Sequence, residues 1–469
     1  MGAVYSDHGN SHVLVLPLRP GGSGVDDSPD VSDHSEDDKG RSFVITIIAI
    51  VFTATLVLGI PVAICLGLSS FFAIVLASDL SLRMIPERML NSVNSFPLMA
   101  IPLFMIAGEL MDSTGILDRL IGFCQSLVGH IRGGLAQITT LSGMILAGVS
   151  GTAVGDASAL SATLIPAMKK EYGVDFAAGV VASAANIGPI IPPSAPMIVY
   201  AFMAGGSVSV AGLFLDGELP GILIGVGMII LSYLIARKRN YPITQRLSIK
   251  QIFIKTKEAF WVLTMPIVVL GSIIGGICTA TEAAALSVAY AVVLGFFVTK
   301  RLTLKNLYRA MVNGTITSGV VFLLIALASS VTFMLTVEQL PTIVSNFIKA
   351  FTPSPFVFLW LVMALLIFVG MVLESNAAYI MLVPILAPIA QSYGIDPLRF
   401  GFIFVLNLVI GHLTPPVGVV LFVTGGVAGL SLERMSRAIL PFLALQFGVL
   451  FVCILFPDIY MFVPRLFGY

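Results

Sequence analysis

Two pairs of prolines set the chemistry open to this chain. Pro192-Pro193 and Pro415-Pro416 each interrupt a long apolar stretch, and each lies downstream of an asparagine, Asn186 and Asn407. Proline donates no backbone hydrogen bond and drives the residue before it out of helical geometry. Upstream carbonyls therefore lose their partners inside apolar sequence. Lipid cannot satisfy them, so a cavity or an ion must. Two short polar runs, Ser150-Gly151-Thr152 and Glu374-Ser375-Asn376, offer further oxygens. Neutral oxygens at short range suit a hard cation such as Na⁺. The expected ligands of one cation are Ser150, Gly151, Thr152, Asn186 and Gly188. Those of a second are Ser375, Asn376, Asn407, Gly411 and Thr414. Helix N-termini facing the same place would favour an anionic solute. Small polar residues also serve simply to pack helices together; a tip-and-break pattern that occurs twice favours the ion reading.

Other polar residues carry two readings each. Asp156 and Glu374 lie at or near the polar tips. An ionisable residue at membrane depth is functional by default, yet a wet tip or a helix cap explains either equally well. His412, inside the second break, would line a solute path or sense protons; packing or a backbone hydrogen bond is the alternative. Pro192, Pro193 and Pro415 join these as candidates for the solute path. Thr281 reads as a helix N-cap with Glu282 in the first turn. The four cysteines, Cys65, Cys124, Cys278 and Cys453, lack metal-ligand spacing and read as small core residues. No Ser-His-Asp set, Gly-rich nucleotide loop or metal cluster is visible, so catalysis has little support, and no cofactor beyond a coupling ion is expected.

Composition says what must hold these residues. The chain is 57% apolar and only 11% charged, with a mean hydropathy of +1.01. Soluble domains carry about a quarter charged residues. Apolar stretches near the ~20 residues that span a bilayer recur from Phe43 to Phe456. The formal net charge is zero, so no nucleic-acid partner is indicated. Residues 1–40 differ: they are acidic, hold Gly21-Gly22-Ser23-Gly24, and read as a disordered tail without a leader pattern.

Basic loops mark the cytoplasmic side. Arg237 to Lys257 and Lys300 to Arg309 are separated by two apolar stretches, which places both clusters on that side. The expected layout follows. A first repeat, 41–240, holds scaffold helices, an arm, a hairpin at 134–168 entered from the cytoplasm, and a broken helix at 175–210. A cytoplasmic connector spans 241–260. A second repeat, 261–469, holds scaffold helices, an arm, a hairpin at 357–391 entered from outside, and a broken helix at 398–428. This gives about ten full spans with both termini outside. The fold class is thus an all-α polytopic membrane protein of two inverted repeats, each with a re-entrant helical hairpin and a broken transmembrane helix.

The repeats align at an offset of about 220 residues. Tyr172-Gly173-Val174-Asp175, Asn186 and Pro192-Pro193 return as Tyr393-Gly394-Ile395-Asp396, Asn407 and Pro415-Pro416. Inverted repeats with matched breaks are the best sequence pointer to a transporter's midplane site.

At these motifs the chain resembles the large membrane subunit of tripartite ATP-independent periplasmic (TRAP) transporters, the DctM-like family. The strings are Ser150-Gly151-Thr152-Ala153, Ile187-Gly188-Pro189-Ile190-Ile191-Pro192-Pro193-Ser194, Thr281-Glu282-Ala283-Ala284-Ala285, and Asn407 through Gly418. The resemblance covers about residues 42–465; His412 and the acidic tail depart from it. It implies an elevator-type ion-transporter fold and Na⁺-driven symport of an organic acid carrying a carboxylate, C4-dicarboxylates among them. It implies three further partners of the chain: a small four-helix membrane subunit, a soluble periplasmic binding protein and the lipid bilayer. It implies a bacterial or archaeal inner membrane. The competing readings are a stand-alone Na⁺- or H⁺-coupled carrier of similar fold, a channel, and a membrane-embedded enzyme. A channel requires a continuous polar stripe and an enzyme a clustered acid, base or metal site; the sequence shows neither.

Overall fold

The computed structural model describes residues 31–78, 80–243 and 246–469, with side chains from Phe43 onward apart from Asp112 and Val372. Most of the acidic tail, residues 1–30, lies outside the described residues. Residues 43–469 form one compact unit.

Helices follow one another with no strand between them among the described residues. The first half runs α1 (Val31–Val57), α2 (Val62–Ala77), α3 (Met84–Val93), α4 (Ala100–Ser113), α5 (Ile116–Val128), α6 (Gly134–Ser150), α7 (Ala153–Tyr172), α8 (Val174–Ala185), α9 (Ala195–Met203) and α10 (Val210–Lys238). The second runs α11 (Ile249–Ile274), α12 (Ala280–Val293), α13 (Leu304–Val337), α14 (Leu340–Phe351), α15 (Pro355–Val372), α16 (Ser375–Ser392), α17 (Pro397–Gly411), α18 (Val419–Ala428) and α19 (Leu432–Leu455), and a short α20 (Asp458–Leu466) closes the chain.

The hairpins are α6–α7 and α15–α16, and the broken helices are α8–α9 and α17–α18. Each boundary has a local cause. Gly151 ends α6 with φ +63°, left-handed geometry that favours glycine. The run from Pro189 to Pro193 keeps α8 from continuing, and Pro415-Pro416 does the same after α17. Ser194 then caps α9, its hydroxyl accepting from the Met197 N–H.

Three expectations need correction. The cap of α12 is Thr279 and not Thr281: Thr279 and Glu282 form a reciprocal capping box. Thr281 sits two residues further on and reaches the Phe96 carbonyl at 3.3 Å. Within the connector 241–260, a second capping box, Ser248 with Gln251, starts α11 at Ile249. The helix α1 likewise begins at Val31, inside the segment expected to lack structure. The span count also differs. Five helices are long and apolar enough to cross a membrane by themselves, α10, α11, α12 with its π-helical extension to Val298, α13 and α19, or seven with two bent pairs. The other expected spans are shorter pieces, because breaks and hairpins divide them.

Packing sorts the helices into two groups. α4 lies against α12 and α13, and α13 also holds α2 and α3. The hairpins and broken helices interlock across the repeats: α7 packs on α18 and α16 on α9. α8 from Phe176 and α17 from Phe400 are buried on every side, which is why both read as apolar all round. The arms are anchored differently. Arg119 of α5 donates to the carbonyls of Glu258 (3.2 Å) and Val298 (3.0 Å), and Asp118 pairs with Arg301. Arm α14 instead holds its own hairpin, through Lys349 to the Ser392 carbonyl at 3.2 Å.

Candidate functional site

The hairpin tips and helix breaks of both halves meet at one cavity of about 510 Å³. The first tip supplies Ser150, Gly151, Thr152, Ala153, Val154 and Gly155, and the second Glu374, Ser375 and Asn376. The breaks supply Pro189, Ala195, Pro196, His412 and Val419. α4 closes the remaining wall with Met105, Gly108 and Glu109, and α13 with Gly314 and Thr317.

In the first half, backbone approaches backbone. A Cβ on Gly151 would stand 2.3 Å from the Pro193 carbonyl oxygen, so only glycine fits this junction of tip and break. A Cβ on Gly188 would stand 2.5 Å from Asp156 Oδ2, 2.9 Å from the Thr152 carbonyl and 3.1 Å from the Ala185 carbonyl. Three oxygens thus converge beside Gly188, one of them a carboxylate oxygen. Asp156 is 1% exposed and sits in the first turn of α7.

The second half is built otherwise. The Ser375 hydroxyl and His412 Nε2 are hydrogen-bonded, joining tip to break through side chains. Glu374 caps α16, accepting from the Ala377 N–H at 3.2 Å and the Asn376 amide at 2.8 Å. Deeper down, Gly411 faces Gly370 of α15, and a Cβ added to Gly411 would stand 2.7 Å from the Gly370 Cα. Thr414 bonds back to the Ile410 carbonyl at 3.0 Å.

Several candidates therefore line the cavity: Ser150, Gly151, Thr152, Glu374, Ser375, Asn376 and His412. Gly188 and Asp156 lie behind the first tip. Pro192, Pro193, Pro415, Gly411 and Thr414 shape the breaks without lining the cavity. The two asparagines are fully buried and behave differently. Asn186 reaches into the other half, donating to the Val409 carbonyl and to Gln446 Oε1, each at 3.0 Å. It does not bond Ser150 or Thr152. Asn407 stays in its own half, donating to the Met363 carbonyl at 3.0 Å. Each keeps Oδ1 buried with no hydrogen-bond partner.

The sequence reading missed the wall from α4 and α13, above all Glu109 and Thr317. Glu109 is the one charged residue within Ala100–Met111, an otherwise apolar stretch, and that was the available signal. Asp216, at the N-terminal part of α10, is also fully buried.

Fold and site together define an inverted-repeat helical membrane protein with a chamber lined by both halves. The family model described as "Tripartite ATP-independent periplasmic transporter, DctM component" matches residues 49–459. The chain is 36% identical over 413 residues to the sialic acid TRAP transporter large permease protein SiaM of Vibrio cholerae, covering 88% of this chain and 96% of that one. It is 38% identical over 413 residues to the isethionate TRAP transporter permease protein DctMQ of Oleidesulfovibrio alaskensis, covering 88% of this chain and 65% of that one. The YdaH transporter of Alcanivorax borkumensis shares the fold at a TM-score of 0.64 and 13% identity, over 90% of this chain and 98% of that one. The chain belongs to the DctM family of TRAP transporter membrane subunits. It is a polytopic membrane protein.

Proposed function

We propose that this subunit imports an organic acid across the cell inner membrane, driven by Na⁺, with a small four-helix subunit beside it and a periplasmic binding protein delivering the solute. One observation carries the reading: both tips and both breaks converge on a single chamber against α4 and α13. The oxygens beside Gly188 and the unpartnered Oδ1 atoms of Asn186 and Asn407 supply cation ligands without a transition-metal site. Relatives named for sialic acid and isethionate support an organic acid as cargo.

The movement we infer is of elevator type, with the interlocked hairpins and broken helices sliding against the scaffold of α2–α4 and α11–α13. By the charge-derived topology α13 starts in the cytoplasm, so Gly314 and Thr317 lie in its inner half. The cavity then faces inward. Energy is adequate: a charge crossing 100 mV is worth about 2.3 kcal/mol and a tenfold gradient about 1.4, so two Na⁺ supply about 7 kcal/mol.

The test is uptake in proteoliposomes holding the chain and its small subunit, with and without binding protein, against Na⁺ concentration. Saturable Na⁺ dependence that needs the binding protein is expected. Robust Na⁺-driven uptake by the chain alone would favour a stand-alone carrier, and uptake indifferent to Na⁺ would overturn the coupling.

A further inference from the structure

Among the described residues two carboxyls are buried: Asp156 behind the first tip, and Asp216 on α10, which lines no part of the chamber. Asp216 is 0% exposed. Neither of its oxygens has a hydrogen-bond partner, and it takes part in none of the ion pairs among the described residues. Asp396 at the start of α17, Cys453 near the end of α19, and Tyr460 and Arg465 of α20 lie within electrostatic reach of it. Tyr460 is also 0% exposed, with its hydroxyl unpartnered. α20 packs on α10 and sets the Tyr460 ring 4.8 Å from that of Phe402, so α20 covers the place.

The cations close by are engaged elsewhere. Arg465 pairs with Asp458 at 2.8 Å, and Arg399 of α17 donates Nη2 to the Ile454 carbonyl at 3.1 Å. The Asp396 carboxylate accepts from the Arg399 N–H and caps α17. The remaining helices packed on α10 add little. α6 has no titratable residue, α8 has only Asp175, paired with Arg434, and α9 has only Tyr200. Glu433, Arg434 and Arg437 stand at the other end of α19. Glu218, two residues on, lies roughly half a turn round α10.

A bare carboxylate enclosed without donor or counter-ion is strongly disfavoured, and the charge of Asp396 adds to the cost. A proton removes that charge in place. A metal ion would need several further oxygens, and two arginines stand nearby to repel it. By the charge-derived topology the starts of α10 and α17 and the end of α19 all lie at the outer face.

We propose that Asp216 is a proton-binding site, separate from the chamber, that exchanges with the outer solution when α20 lifts and stays neutral while α20 covers it. Folded, Asp216 keeps the proton; unfolded, it has lost it at neutral pH. The folded state therefore binds more protons, and stability falls as pH rises. Alkaline solution loosens the outer ends of α10, α17 and α20 and leaves the Na⁺ sites untouched.

The test uses the purified full-length chain with its small subunit, followed by infrared spectroscopy and by melting between about pH 6 and about pH 9. The variants are Asp216→Asn and Asp216→Leu, neither of which has a proton to lose. Wild type minus variant at neutral pH should carry the C=O band of a protonated carboxyl. The wild-type folding constant should fall by up to about tenfold per pH unit where the site deprotonates, and both variants should lose most of that slope. A difference spectrum that shows an ionised carboxylate overturns the proposal, as does a slope shared by all three proteins. An ionised Asp216 that becomes the acid only when Na⁺ is withdrawn assigns the site to the cation, and the proposal falls. Two neutral variants that both fail to fold would show that the site needs a charge, which overturns it equally. None of these readouts depends on uptake, so the transport reading is tested separately.

Discussion

The two halves of the molecule close their tips in different ways. In the first, Gly151 lets the tip rest on the Pro193 carbonyl, and oxygens of Asp156, Thr152 and Ala185 crowd around Gly188. In the second, a serine–histidine hydrogen bond spans the gap, and the tip's carboxylate, Glu374, is spent on capping its own helix. Backbone-to-backbone contact leaves no slack, because no rotamer change relieves it. A side-chain bridge is made and broken by rotation about single bonds. The first site also carries a carboxylate beside its oxygens, whereas the second offers mostly neutral groups. Equivalent positions in the repeat are thus built differently, and under the proposed Na⁺ coupling the first half would hold its cation in a fixed frame while the second would supply a tip that opens.

The largest expected effect tests the rigid junction. Gly151→Ala places a methyl against the Pro193 carbonyl and forces alanine into left-handed geometry. The two penalties together cost about 3 kcal/mol. Purified protein should melt markedly lower and uptake should be lost; normal melting and normal uptake would break the contrast between the halves.

A smaller effect separates the cation sites. Asp156→Asn should raise the Na⁺ concentration for half-maximal uptake by about tenfold to a hundredfold, the scale of a lost contact to a charge. Ser375→Ala should raise it less and leave melting within about 1 kcal/mol of wild type. Equal shifts in the two variants would show that the sites are equivalent after all.

The smallest effect distinguishes the asparagines. Asn186→Ala strips partners from Val409 and Gln446, and Asn407→Ala strips one from Met363. Asn186→Ala should therefore be the less stable of the two, by about 1 kcal/mol. Both should raise Na⁺ half-saturation. If only stability falls in Asn186→Ala, that residue joins the halves and holds no ion.

Much of this architecture was legible in order and kind. The hairpins, the breaks and the matched Tyr-Gly-x-Asp segments follow from apolar runs and their punctuation, and the helices end where glycine and proline demand. Boundaries that depend on capping were less so: Thr279 and Thr281 differ by two positions, and only the reciprocal bonds to Glu282 show which one caps. Likewise α11 extends into a basic segment that reads as connector, because Ser248 and Gln251 satisfy its first turn.

The amino-acid sequence by itself determined where the chain must break in the membrane, since a missing N–H and a fixed φ are covalent properties of proline. It determined too which short runs offer oxygens at those depths. Tertiary structure decided which of these groups meet. Asn186 and Gln446 are 260 residues apart and bond directly, and Glu109 joins a chamber whose other walls come from both repeats. Long-range partners are chosen by how helices pack, and packing depends on every side chain along the contact. Local spacing therefore located the breaks but could not reveal that α4 closes the chamber.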